Sequence, residues 1–183
     1  MAKNPQKETK VASTTAMWRS IIYRKDEKTG EVTKQVTPWK NNLIVDNCYV
    51  LQAITFKNEM TGLQYMTFGQ GNPAWDPVPP APSATDTTLY DEIFRYELQA
   101  GDFVYLDAGL VVVVGPERRI RVTGVLDYGD AIGSYIREFA LFGGNATATL
   151  DSGYMANVIR AERFMKTGAI RLEREVILGM GLA

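Results

Sequence analysis

From Phe103 onward the sequence keeps returning to a period of two, the pleat of a β-strand, and this limits the chain to sheet architectures more than any other feature. In "RRIRVTGVL" Ile120, Val122, Gly124 and Leu126 alternate with Arg119, Arg121 and Thr123. In "AIRLEREVIL" Ile170, Leu172, Val176 and Leu178 share a face with Arg174, while Arg171, Glu173 and Glu175 take the other, the pattern of a half-solvated antiparallel strand. "IGSYIREFALFGG" sets Tyr135, Arg137, Phe139 and Leu141 against Ile136, Glu138, Ala140 and Phe142. "FVYLDAGLVVVV" adds β-branched and aromatic residues, and "YMANVIRAERFMKTG" reads as a strand, a bend and a second short strand.

The N-terminal half mixes periods. Trp18 to Tyr23 and Glu31 to Val36 form a hairpin around Thr29-Gly30. A helix follows, capped by Asp46 or Asn47, carrying Val50, Leu51, Ile54 and Phe56 on one face and ending near Lys57. "GLQYMTFGQG" is a strand with Leu63, Tyr65 and Thr67 on one side and Gln64, Met66 and Phe68 on the other. In "TDTTLYDEIFRYE" the spacing of Leu89, Ile93 and Tyr96 predicts a short amphipathic helix, capped by Thr85 or Asp86. Strands and helices do not alternate regularly. The expected fold is mainly β: an antiparallel β-sandwich of about seven strands with two short inserted helices.

One domain accounts for residues 16–183, since 183 residues can bury a core without disulfide or metal staples. Residues 1–15, "MAKNPQKETKVASTT", have three lysines and no apolar core of a secretory signal, so they read as a flexible arm or one ordered on a partner. The second extension is the Pro-rich loop at 70–85.

Charge and chemistry narrow the function. Twenty basic and 21 acidic residues leave a net charge of -1, without the basic excess that phosphate neutralisation requires, so no specific nucleic-acid partner is expected. No apolar run approaches the about 20 residues of a bilayer-spanning helix, and membrane insertion is not expected. The chain has one cysteine, Cys48, and no histidine, which removes the usual zinc ligands and the Ser-His and Cys-His pairs. "GQGNPAW" lacks the third glycine of a dinucleotide loop, and Pro73 removes an amide donor. Asp127, Asp130 and Glu138 are close enough in sequence to be weighed as a glycosidase pair. "LDYGDAIG", however, has the composition of a turn, and Glu138 can pair with a neighbouring arginine. No catalytic, cofactor or metal residue is therefore assigned.

Contact residues are a different matter. Trp75 stands in "NPAWDPVPPAP", and an aromatic flanked by prolines is pre-ordered for docking at small entropic cost. Trp75, Pro77, Val78, Pro79, Pro80 and Pro82 are the expected subunit contacts; packing of Trp75 within its own chain and ligand stacking are the alternatives. Glu92 and Arg95, and the charges of "RAERFMK", read as solvated faces unless they lie at a boundary between subunits.

Taken in order, Trp18, "KTGEV", "NNLIVDN", "YMTFGQGN", "SATDTTLYDEIFR", "YIREFALFGG" and "RAERFMKTG" with its terminal strand form a pattern. It resembles that of small structural proteins of tailed bacteriophages, found in tail fibres, baseplates or necks, over roughly Trp18 to Leu178. Thr87, Leu89, Glu92 and Arg95 fall at the family's helix positions, and Ile136, Glu138, Leu141 and Phe142 at its strand positions. The insertion between Gly71 and Ser83 and the first 15 residues depart from it. The resemblance implies a non-enzymatic virion component, assembled in the host cytoplasm, whose partners are other copies of itself and other virion proteins. A head decoration or fibre-anchoring protein and a carbohydrate-binding β module are the alternatives.

Overall fold

A computed structural model describes the backbone of residues 13–181 and the side chains of residues 16–179. It is mainly β, with two antiparallel sheets packed as a sandwich. In chain order the strands are β1 (Ser13–Lys25), β2 (Val32–Val36), β3 (Lys40–Asn41), β4 (Leu43–Ile44), β5 (Thr61–Gly69), β6 (Glu92–Glu97), β7 (Phe103–Leu106), β8 (Val112–Val113), β9 (Arg119–Leu126), β10 (Tyr135–Gly144), β11 (Tyr154–Met165) and β12 (Ile170–Gly181). One helix, α1 (Asp46–Phe56), lies between β4 and β5. The larger sheet runs β2-β1-β12-β9-β7-β8, with β3 also on β1, and the smaller runs β4-β11-β10-β5-β6. The arm expected at residues 1–15 falls largely outside the described residues; β1 already begins at Ser13, paired with Gly181.

The period-two runs place the core as their alternation requires. Val122 and Leu126 of β9 and Leu172 and Val176 of β12 meet Met66 and Phe68 of β5 and Phe139 and Leu141 of β10 between the sheets. Trp18 meets Phe139 edge-on at 5.2 Å between ring centroids. Gly124 is required where the sheets come closest, because a Cβ there would overlap the Met66 side chain. The β1–β2 hairpin closes as expected, with the Asp26 carboxylate accepting from the Lys28 and Thr29 amides, each at 2.8 Å, and Gly30 at φ +74°.

Three expectations are corrected. Glu92–Glu97 is not a helix but the edge strand β6, paired with β5. Phe94, Tyr96 and Leu98 alternate onto the core, and that period of two prevails because β5 offers an unpaired edge along its length. "YMANVIRAERFM" is one 12-residue strand, and the expected bend survives only as a shift of its pairing register with β10 between Arg160 and Phe164. The last strand is not half-solvated: Glu175 and Ile177 on its second face are buried as well as Arg174 and Val176 on the first.

The smaller sheet is covered on both faces. A bulge between Ile136 and Glu138 turns Glu138, Ala140 and Phe142 to the outside. There Ala140 and Phe142 join Met155, Val158, Val45, Leu89 and Ala146 in a second, smaller core under the connecting segments. The Pro-rich loop belongs to this outer layer.

Candidate functional site

The loop from Gln70 to Asp91 is a closed excursion fastened to the outer face of the smaller sheet. Its neck closes where the Gln70 amide donates to the Asp91 carbonyl at 2.8 Å. Asn72 then caps a single 3-10 turn, Pro73–Trp75, by accepting from the Ala74 amide at 2.9 Å. Beyond that turn, arginines on β10 and β11 hold the loop down. Arg137 grips Asp76 with two bonds, Nε at 3.1 Å and Nη2 at 2.7 Å, and donates to the Gln70 carbonyl at 3.0 Å. Arg163 reaches the same carboxylate at 3.3 Å, and Arg160 binds Asp86 at 3.0 Å and the Ala81 carbonyl at 3.2 Å. The Arg137 hydrogen bonds hold the Asp76 carboxyl below the usual aspartate value.

Trp75 is packed within its own chain. Its ring meets Tyr90 edge-on at 5.3 Å, and the Arg160 guanidinium sits 4.9 Å from its centroid. Gly71, at φ +60°, makes room: a Cβ there would stand 2.5 Å from the ring. The loop turns its next stretch outward. Pro77 and Pro80 are exposed, Pro79 and Pro82 half-buried, and Val78 is 78% exposed. The six residues singled out in the sequence therefore divide into Trp75, packed within its own chain, the exposed Pro77, Val78 and Pro80, and the half-buried Pro79 and Pro82.

The charges read as solvated faces are mostly fixtures. Glu92 and Arg95 are a buried pair, in which Arg95 also donates to the Thr147 carbonyl at 2.9 Å and Ser152 Oγ at 3.0 Å, tying β6 to the β10–β11 connection. Glu138 lies fully buried beneath the end of the loop, where Oε1 accepts from the Asp91 amide at 2.9 Å; burial pushes its carboxyl above the usual glutamate range. Arg160 is its cross-strand neighbour, but its hydrogen bonds go to the loop. Asp127 and Asp130 belong to the β9–β10 turn, where Asp130 accepts from the Asp127 amide at 2.7 Å. Lys166 is buried among carbonyls, donating to Thr167 at 3.2 Å and Tyr128 at 3.4 Å, and burial lowers its pKa.

The three tryptophans lie apart: Trp18 in the core, Trp75 under the loop, and Trp39 beneath the Arg19 guanidinium at 4.4 Å. Burial pushes the Cys48 thiol up, away from the thiolate that reacts.

A second feature lies at the end of the sandwich where β9 begins and β12 nears its end. A cavity of about 380 Å³ opens there, walled by Cys48, Leu51, Leu63, Ile120, Ala156 and Leu178. Phe56, Glu117 and Arg118 also line it. At the edge of the same sheet the β8 segment exposes Val111, Val112 and Val114, the last completely. The expected apolar face of α1 is also rearranged: Leu51 and Cys48 point inward, while Val50 and Phe56 face solvent beside Tyr49. A sequence signal for this surface exists, since "DNCYVLQAITF" contains one charged residue, Asp46. Among the described residues no group of Cys, Asp and Glu is placed to hold a metal ion, and no helix is long and apolar enough to cross a membrane.

Comparisons with protein-family models, with curated proteins and with solved structures find no match to this chain.

Proposed function

We propose that the chain is a non-enzymatic structural protein of a bacteriophage virion, forming a symmetric oligomer in the tail, baseplate or neck that joins neighbouring layers or fibres. The ordered landmarks from Trp18 to Leu178 motivate the virion assignment. The observation that carries the structural role is the pinned loop, whose Asp76 and Asp86 are held by three strand arginines while Pro77, Val78 and Pro80 face outward. A segment fixed before it meets a partner gives up little conformational entropy on docking.

The test is made on particles. Virions of the phage that encodes the chain, purified by density gradient, are expected to contain it in a fixed stoichiometry and to bind its antibody at the tail or neck in electron micrographs. Val78→Asp, which changes one exposed side chain, is expected to fold normally yet be depleted from particles. Virions devoid of the chain would overturn the proposal.

A further inference from the structure

We propose that the peptide bond between Asp76 and Pro77 is a self-scission site of this chain, kept closed by the arginines that hold the Asp76 carboxylate. This chemistry does not depend on the virion assignment; it acts within the loop itself.

The residue pair supplies the reaction. Asp76-Pro77 is the single Asp-Pro step in the sequence. An aspartate carries a nucleophile beside its own peptide bond: a side-chain oxygen can add to the main-chain carbonyl carbon of the same residue and form a cyclic anhydride. The bond to the next nitrogen then breaks, its electron pair staying on the nitrogen, which takes a proton from solvent. Proline favours this step, because its nitrogen belongs to a tertiary amide and leaves as a secondary amine. Water opens the anhydride, giving one chain that ends in Asp76 and another that begins with Pro77. The sum is hydrolysis of one bond by one water, with nothing oxidised or reduced.

The arginines hold that reaction back. Attack requires a carboxylate oxygen to turn onto the carbonyl carbon of Asp76, and both oxygens are engaged. Oδ1 accepts from Arg137 Nε at 3.1 Å, while Oδ2 accepts from Arg137 Nη2 at 2.7 Å and from Arg163 Nη1 at 3.3 Å. A planar fork of charge-assisted bonds fixes the direction of the carboxylate as well as its charge. The bond is otherwise open to water. Asp76 and Pro77 line a cleft of about 560 Å³ together with Val78, Glu162 and Arg163, and Pro77 and Val78 are exposed. Arg137 is buried, whereas Arg163 is more than half exposed, so the clamp has an inner and an outer jaw.

The fold accommodates the cut. Residues before it supply β1 to β5 and α1, and residues after it supply β6 to β12. Each sheet draws on both pieces: β1 pairs with β12 from Ser13 and Gly181 to Arg24 and Ile170, and β5 lies between β10 and β6. A nicked chain therefore stays interlocked as one sandwich, with a new carboxylate and a new amine at the crest of the loop.

Acid opens the clamp. The charged groups facing Asp76 are Arg137 from β10 and Glu162 and Arg163 from β11, with the Tyr135 ring 5.0 Å from the Arg137 guanidinium and 5.4 Å from that of Arg163. The Arg137 hydrogen bonds hold the Asp76 carboxyl below the ordinary 3.8, so the clamp is complete above that value and is released as pH falls through the lower folded one.

The experiment incubates the full chain at about pH 4.5, where the wild-type clamp is intact, and follows fragments 1–76 and 77–183 by intact mass spectrometry. Scission of the folded wild type is expected to be slow. Arg163→Gln, an exposed position whose change leaves the thermal transition in place, and Arg137→Met are each expected to speed it by about tenfold or more. That is the factor gained when one charge-assisted hydrogen bond no longer has to be broken. Unfolding the wild type in urea is expected to accelerate scission by at least as much. Asp76→Glu, which keeps the charge but lengthens the ring to be closed, and Pro77→Ala are expected to stay intact over the same period. The nicked wild type is expected to elute as the whole protein and to separate only in urea. Folded clamp variants that are cut at the wild-type rate, or a wild type cut equally fast folded and unfolded, overturn the clamp. Cutting that persists at this bond in Asp76→Glu, or whose first-order rate rises with protein concentration, overturns self-scission, as does a bond that survives in every form.

Discussion

Replacing Arg174 by methionine is expected to leave the protein as stable as the wild type or more so, although it removes a buried and hydrogen-bonded cation. Arg174 projects from the middle of β12 into the space between the sheets, fully buried. Its guanidinium lies 4.8 Å from the Phe139 ring centroid and 5.4 Å from that of Trp18, and Nη1 donates to Ser20 Oγ. Its Nε has no hydrogen-bond partner. Burial pushes its pKa down to about 9. At about 1.4 kcal/mol for each pH unit of that fall, holding the charge inside costs on the order of 5 kcal/mol. The aromatic faces return about 2 kcal/mol and the hydrogen bond about 2 more, so the group is close to neutral or mildly unfavourable as it stands.

Methionine keeps most of the volume and removes both the cost and its compensation, leaving Ser20 to lose about 1 kcal/mol of hydrogen bonding. The expected change in unfolding free energy by urea titration lies between no effect and a gain of about 3 kcal/mol, the range seen when buried charges yield to apolar side chains. Arg174→Ala, which also opens a cavity, is expected to lose about 2 to 4 kcal/mol. The pH dependence carries the same sign. Because burial lowers the folded value, the penalty is complete below about pH 9 and lifts as pH rises through it, so the advantage of Arg174→Met shrinks in that interval. A loss of more than about 2 kcal/mol for Arg174→Met at neutral pH would mean that its interactions outweigh its desolvation, refuting the reasoning.

The loop gives two further tests. Gly71→Ala places a methyl 2.5 Å from the Trp75 ring at a backbone angle of φ +60°, and is expected to cost about 1 to 3 kcal/mol and to shift the Trp75 fluorescence. Gly62→Ala, where a Cβ meets nothing within 4 Å, serves as the control. Asp76→Asn is expected to speed proteolysis of the loop between Gln70 and Asp91, and exchange of the hydrogen-bonded Gln70 and Trp75 amides, at neutral pH, because Arg137 and Arg163 lose their shared carboxylate. In the wild type the folded carboxyl titrates below its unfolded value, so the staple is complete above the ordinary 3.8 and is lost as pH falls through the lower folded value. Loss of protection at the Gln70 and Trp75 amides, relative to their intrinsic exchange rates, that already sets in well above pH 3.8 as pH falls would contradict the assignment of Asp76 as the staple.

The sandwich was legible because β9 alternates in burial along its length and β5 and β12 alternate in residue type, although both faces of β5 and β12 are covered. The features that escaped the sequence depend on pairing across distance. In the segment from Leu89 to Leu98, Leu89, Ile93 and Tyr96 satisfy a helical spacing while Phe94, Tyr96 and Leu98 satisfy a strand spacing, and only the free edge of β5 decides between them. The buried state of Glu92 and Arg95 follows from that reversal. For Trp75 the sequence showed stiffness but not direction. The ring turns inward because Arg160 and Tyr90, separated from it by 85 and 15 positions, close over it. The open face of α1 was also present in the sequence, but an apolar helix reads the same whether a sheet or another molecule covers it.

The placement of the arginines connects the fold to its available surfaces. A Pro-rich segment has few amide donors and cannot join a sheet as a strand, so on its own it would not lie flat on one. Arg137, Arg160 and Arg163 solve this by reaching from β10 and β11 to the loop's carboxylates and carbonyls, replacing ladder hydrogen bonds with charge-assisted ones. The outer face of the smaller sheet is thereby occupied from within the chain, which leaves Pro77, Val78 and Pro80 exposed at the crest of the loop. Nothing comparable covers α1 or the β8 segment among the described residues, where Val50, Phe56, Val111, Val112 and Val114 stay exposed.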